Sequence, residues 1–182
     1  MKIAGKEALL FELIKQGTNG DTYLAEYDDK VVIVKQLYDA VCDRFEDKTL
    51  MESELEGYNI LKTAGIKVPN IIAYDEEALC IVKEYIQGPT ILQMIQNHED
   101  IDQYIPQAQA IEETLKPLNC TADFFPNNFV VRDGELWLVD YEIFPIDPDW
   151  GFEKWGKQYW GDTVKLKAYL DLDKPKEEEL DD

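Results

Sequence analysis

Two carboxylates and an amide, Asp123, Asn128 and Asp140, flank what the sequence predicts to be a hairpin. Residues 129–131 and 136–139 are short apolar runs, and Arg132-Asp133-Gly134 between them has the composition of a tight turn. Closing that turn brings Asp123 and Asn128, on the loop before the first strand, towards Asp140 at the end of the second. Three oxygen donors gathered in this way suit Mg²⁺, a hard cation that keeps part of its shell for water and substrate phosphates. The same residues would also serve as Asx caps around a surface hairpin, which requires no ligand.

The elements that must position this set are readable upstream. Residues 9–14, 22–27 and 31–37 have the composition of three strands, the last two joined by a tight turn at Asp28-Asp29. Between the first two lies Gly17-Thr18-Asn19-Gly20, where backbone N–H groups can approach phosphate oxygens; glycines so placed also simply turn the chain. Lys35 follows the apolar run Val31-Val32-Ile33-Val34, so it must either leave the sheet or meet a buried anion. A lysine guarding an edge strand is the alternative.

A helix is predicted over about 48–64, with Met51, Leu55, Tyr58 and Leu61 as its buried stripe. Glu54 falls on that stripe and needs a cation, for which Lys35 is the natural candidate; Glu56 is the second choice of partner, and a Glu54 that snorkels into water is the third possibility. A strand over 71–74, another from Leu79 that leaves the sheet between Glu84 and Gly88, and helices over 90–97 and 100–115 complete the expected order. Trp150, Trp155, Tyr159 and Trp160 read as core filler.

The order Asp123, four residues, Asn128, a hairpin, and Asp140 before an aromatic resembles the protein kinase-like phosphotransferases. The resemblance implies that Asp123 accepts the proton of a substrate hydroxyl and that Asn128 and Asp140 hold metal. The run ending at Lys35 is similar to the family's V-A-I-K strand, which implies a phosphate-gripping Lys35 held by Glu54. Glu84-Tyr85-Ile86 would be the linker whose backbone binds adenine, and Gly17, Thr18, Asn19 and Gly20 would cover the phosphates. Three departures stand out: Thr121-Ala122 where the family has His-Arg, Asp140-Tyr141-Glu142 for D-F-G, and Lys15 at the first glycine of the loop. Gly65-Ile66-Lys67-Val68-Pro69 is similar to the G-I-x-x-P of small atypical kinases, the Bud32 and RIO group. The short C-terminal part without A-P-E looks like that group and like aminoglycoside- and choline-type phosphotransferases.

The fold so implied is α+β and two-lobed. One domain over 1–172 would comprise a β-rich N-lobe of about 1–84, a linker at 84–88 and a reduced, mostly helical C-lobe over 89–172. The charged stretch 173–182, with Pro175, is expected to be a disordered tail. The implied activity is ATP- and Mg²⁺-dependent transfer of the γ-phosphate to a hydroxyl, on a protein Ser/Thr or a small molecule. The departures keep open a pseudokinase-like module that binds nucleotide or a partner without turnover.

Composition narrows the classes. The chain has 182 residues, 45% of them hydrophobic, enough for a real core. Its formal net charge of −20, from 38 acidic and 18 basic side chains, repels phosphate backbones and argues against nucleic acid as a partner. Cys42, Cys80 and Cys120 are widely spaced, with His98 the lone histidine, so neither a zinc site nor a disulfide framework follows. No apolar run has the length of a signal peptide or a bilayer span, and a cytoplasmic protein without a membrane partner is expected.

Overall fold

The computed structural model describes residues 1–42 and 48–172; the expected tail lies outside the described residues. Strands dominate the first half. They are β1 (Lys2–Ile3), β2 (Lys6–Gln16), β3 (Gly20–Tyr27), β4 (Lys30–Leu37), β5 (Ile71–Asp75) and β6 (Cys80–Glu84), forming one antiparallel sheet in the order β1-β2-β3-β4-β6-β5. Asp28 and Asp29 both take positive φ, 56° and 60°, giving the β3–β4 hairpin the left-handed turn that matches strand twist. One face of the sheet packs Ile3, Ala25, Val32, Val34 and Val82 into a small core.

The pairing register decides what the other face carries. Lys35 on β4 lies opposite Ile81 on β6, and Ile33 opposite Lys83. Directly opposed residues share a face, as do residues two apart on a strand, so Lys35 and Lys83 project from the same side.

Helix α1 (Leu50–Thr63) connects β4 to β5. Its start is fixed by a capping box, with the Thr49 side chain accepting from the Glu52 N–H and the Glu52 carboxylate accepting from the Thr49 N–H. Met51, Glu54, Gly57 and Leu61 form its buried side. Gly57 is the closest point of approach: a Cβ there would overlap the Tyr141 carbonyl oxygen. Gly57→Ala is expected to push the helix off that segment and lower stability by roughly 1–3 kcal/mol, the usual cost of overpacking. Chemical denaturation checks this, and a midpoint unchanged from wild type would refute the close packing.

The second half contains α2 (Ile91–Gln96), α3 (Ile105–Leu115), β7 (Cys120–Ala122), β8 (Phe129–Arg132), β9 (Glu135–Leu138), β10 (Ile143–Pro145) and α4 (Val164–Leu172). The helix expected over 100–115 is divided. Residues Asp102–Tyr104 make a 3₁₀ turn, and α3 begins at Ile105 with Pro106 in its first turn, where the missing N–H costs nothing. The hairpin of β8 and β9 turns at Asp133 and Gly134, both with positive φ, as the sequence predicts. Strands β7 and β10 pair antiparallel with Thr121 opposite Phe144.

The larger core lies here, with Phe124, Phe129, Tyr141 and Phe152 fully buried among Leu61, Leu115, Leu138 and Trp160. The aromatics over 150–160 do fill space: Trp160 packs edge-on against Phe129 and Phe152, and its indole N–H donates to the Phe124 carbonyl at 2.8 Å. All three cysteines are buried and unpaired. Among the described residues no helix is long and apolar enough to cross a membrane.

Candidate functional site

A cavity of about 300 Å³ opens between the sheet face bearing Lys35 and the loops around the β8–β9 hairpin. The β2–β3 turn forms one wall with Gly17, Thr18, Asn19 and Gly20, and Glu84, Tyr85 and Ile86 leave β6 along another. Asp123, Asn128 and Asp140 line the opposite side. Pairing of β7 with β10 delivers Asp123 at the end of a strand, and a hydrogen bond from the Val139 N–H to the Asn128 carbonyl (2.9 Å) fixes the loop against the strand that precedes Asp140.

Lys35 is the hub of the charged groups. Its Nζ donates to Glu54 Oε1 at 2.5 Å and Asp140 Oδ1 at 3.0 Å, and lies 4.0 Å from Glu142 Oε1. Glu56, the second candidate partner, instead pairs with Lys48 at the surface. Burial by itself would pull the Lys35 ammonium down, but Asp140 and Glu54 outweigh it, so its pKa is raised and it stays protonated. Burial likewise pushes Asp140 up, and Lys35 and Lys83 more than reverse this, holding it below the usual carboxylate range. Glu54 is raised by burial despite Lys35, and its Oε2 has no hydrogen-bond partner among the described residues.

Asp123 has a different environment. Its Oδ1 accepts from the Phe125 N–H at 2.9 Å, which lowers its pKa, but burial is stronger and the net shift is upward. Asn128 is 3% exposed; its Nδ2 donates to the Asp123 carbonyl at 3.3 Å and its Oδ1 faces Lys15 Nζ at 3.4 Å. The neighbouring Asn127 also lines the cavity, with a buried Oδ1 that has no hydrogen-bond partner among the described residues.

Every site residue named from the sequence lines this cavity except Glu54, which reaches it through Lys35. Four others escaped the sequence reading. Lys15 and Glu142, noted there only as departures from glycine, both line the cavity, and Asn19 Nδ2 donates to Glu142 Oε1 at 2.6 Å. Asn127 gave no signal beyond its neighbour. Lys83 did give one, since it ends the apolar run Leu79-Cys80-Ile81-Val82 just as Lys35 ends its own. It is 5% exposed, donates to the Val139 carbonyl at 2.6 Å, and sits 4.7 Å from the centre of the Tyr141 ring. Burial, with help from Lys35, brings its pKa down to about 8.

Chemically, the cavity offers oxygen ligands for a hard cation, main-chain N–H groups on a glycine turn, a charged lysine, and one carboxylate with raised basicity. Glu54, Asp140 and Glu142 each offer an oxygen within 4.8 Å of the others.

No protein-family model matches the chain. It is similar to the KEOPS complex subunit Bud32 of Pyrococcus abyssi (strain GE5 / Orsay), with 23% identity over 153 residues, covering 75% of this chain and 68% of that protein. This distant likeness supports a protein kinase-like chain. A strand-rich N-terminal sheet followed by a few helices is compatible with that fold.

Proposed function

We propose that the chain is an ATP- and Mg²⁺-dependent phosphotransferase acting on a hydroxyl. The observation that carries this reading is the convergence of Lys35, Asp123, Asn128 and Asp140 on one cavity from three separate stretches of sequence. In this reading residues 1–84 are the N-lobe, 84–88 the linker and 89–172 the C-lobe of a single kinase-like domain. The donor set fits the metal, being carboxylate and amide oxygens rather than sulfur or imidazole. Asn128 and Asp140 would hold it, with Glu142 within reach of the same ion.

Mg²⁺–ATP, when bound, supplies the transferable phosphoryl group and offsets its charge. The residues of the chain do the positioning. Lys35, fixed by Glu54, grips the phosphates, and the turn from Gly17 to Gly20, closed by the bond from the Gly17 N–H to the Gly20 carbonyl, covers them with its remaining amides. Main-chain groups of Glu84, Tyr85 and Ile86 hold the base. Asp123 orients the acceptor hydroxyl and takes its proton as the oxygen attacks, a role suited to a carboxylate whose pKa is raised. The acceptor is an alcohol, a protein Ser/Thr or a small molecule.

The bond from Asn19 to Glu142 favours a second reading. It ties the glycine turn to the far side of the cavity, as suits a module that binds nucleotide without turnover.

Thermal stability with and without millimolar Mg²⁺–ATP tests the first step, because a ligand that binds only the folded chain raises its midpoint. A metal-dependent rise in the wild type, lost in Asp140→Asn, is expected. No rise at any nucleotide concentration overturns both nucleotide-binding readings and leaves a module that binds a partner; a rise without phosphoryl transfer to any hydroxyl acceptor selects the second.

A further inference from the structure

Lys15 has no task in the reaction described above, and a local irregularity of β2 puts it in the cavity. Leu13 lies opposite Tyr23, on the face of the sheet that carries the small core. A residue two further along would share that face, but Ile14 is an extra residue in the pairing and Lys15 falls opposite Thr22 instead. Thr22 is itself opposite Lys35, so the bulge turns Lys15 onto the cavity side. There its ammonium donates to Asn128 Oδ1 at 3.4 Å, its one hydrogen bond among the described residues. Burial raises both Asp123 and Asp140, and the Lys15 charge is among the groups that oppose it at each. The stretch from Asp123 to Asn128, with Phe124-Phe125-Pro126-Asn127 between them, brings no cation of its own.

The other two lysines of the cavity are committed. Lys35 lies between Glu54 and Asp140, and Lys83 donates to the Val139 carbonyl. Lys15 is exposed and rests on a neutral amide oxygen by a long bond, so its charge is available to an anion. We propose that Lys15 binds the terminal phosphate of a nucleoside triphosphate, so that the cavity discriminates triphosphates from diphosphates. This rests on the nucleotide-binding reading above. In that reading Asp123 marks the end of the cavity where the acceptor oxygen attacks, and the phosphoryl group to be transferred lies beside it. Once the Asn128 oxygen is given to the metal, the ammonium has to leave it, and the terminal phosphate is the anion within its reach. A charge-assisted bond then replaces a weak one to an amide. A diphosphate lacks the group that would meet it.

The Mg²⁺ complexes of ADP and of the β,γ-imido analogue of ATP, which is not transferred, are the probes. Their dissociation constants are measured by calorimetry on the full chain, in the wild type, Lys15→Met and Lys15→Arg. The wild type is expected to bind the imido analogue about tenfold or more tighter than ADP, the scale of one hydrogen bond between charged groups. Lys15 is exposed, so Lys15→Met leaves the fold standing. That variant loses about tenfold on the imido analogue and stays within about twofold of the wild type on ADP, while Lys15→Arg keeps the preference. Equal affinities in the wild type overturn the proposal whether or not a variant folds. A preference that persists in Lys15→Met, or equal losses for both nucleotides, overturns it as well. Failure of both nucleotides to bind removes this proposal together with the reading it rests on, whereas binding of both without the expected dependence on Lys15 removes this one alone.

Discussion

Lys35→Met melts about 10 °C below the wild type at neutral pH. The substitution keeps much of the side-chain volume and removes the charge that Glu54 and Asp140 face at 2.5 and 3.0 Å. Glu54 is 2% exposed and already has one oxygen without a partner among the described residues, so water cannot replace the ammonium. Breaking a buried ion pair from one side costs roughly 3–5 kcal/mol, and in a chain of this size each kcal/mol lowers the melting point by about 2–4 °C. Lys35→Met/Glu54→Gln recovers part of the loss, since it removes one of the abandoned charges.

The pH dependence follows from Asp140. Its folded-state pKa lies below the unfolded value, so it contributes stability above the unfolded pKa and loses that contribution as pH falls through the folded one. In Lys35→Met most of that contribution is gone at neutral pH. The gap between variant and wild type therefore narrows as pH drops below the ordinary carboxylate range. A gap below about 1 °C at neutral pH would mean that the lysine is no hub.

Asp123→Asn separates turnover from stability. If Asp123 takes the acceptor proton, the variant loses about 10²–10⁴-fold in turnover, the usual contribution of general-base catalysis. The fold should gain. Burial raises the Asp123 pKa, so the ionised form is the one the folded state disfavours, and the stability tied to its protonated form is lost as pH rises through the folded pKa. An amide keeps the Oδ1 that accepts from the Phe125 N–H while discarding the charge. The variant melts above the wild type at neutral pH and level with it in acid. Wild-type activity, by the same argument, falls on the acid side at a higher pH than an ordinary aspartate would give. Full turnover by Asp123→Asn would exclude the assigned role.

How far the sequence foretold this arrangement depended on how local each signal was. The hairpin over 129–138 and the turn at Asp28-Asp29 follow from a few neighbouring residues, and both stand where expected. Lys35 and Glu54 were legible because each is a charge placed in an apolar pattern, a conflict that only a partner can relieve. Lys83 carries the same signature, but Glu84 directly after it makes the charge look like an ordinary polar strand end. Strands β7 and β10 have three residues each, too few for any period, and their pairing spans more than twenty positions. Gly57 is similar: its value lies in the Tyr141 carbonyl it admits, which no local pattern reveals.

The hydrogen bond from Asn19 to Glu142 also bears on rates. It joins the glycine turn to the segment after Asp140, and the longer contact of Lys15 with Asn128 runs beside it. A molecule entering the cavity must exchange these ties for its own. Arrival is then timed by how often they open rather than by diffusion alone.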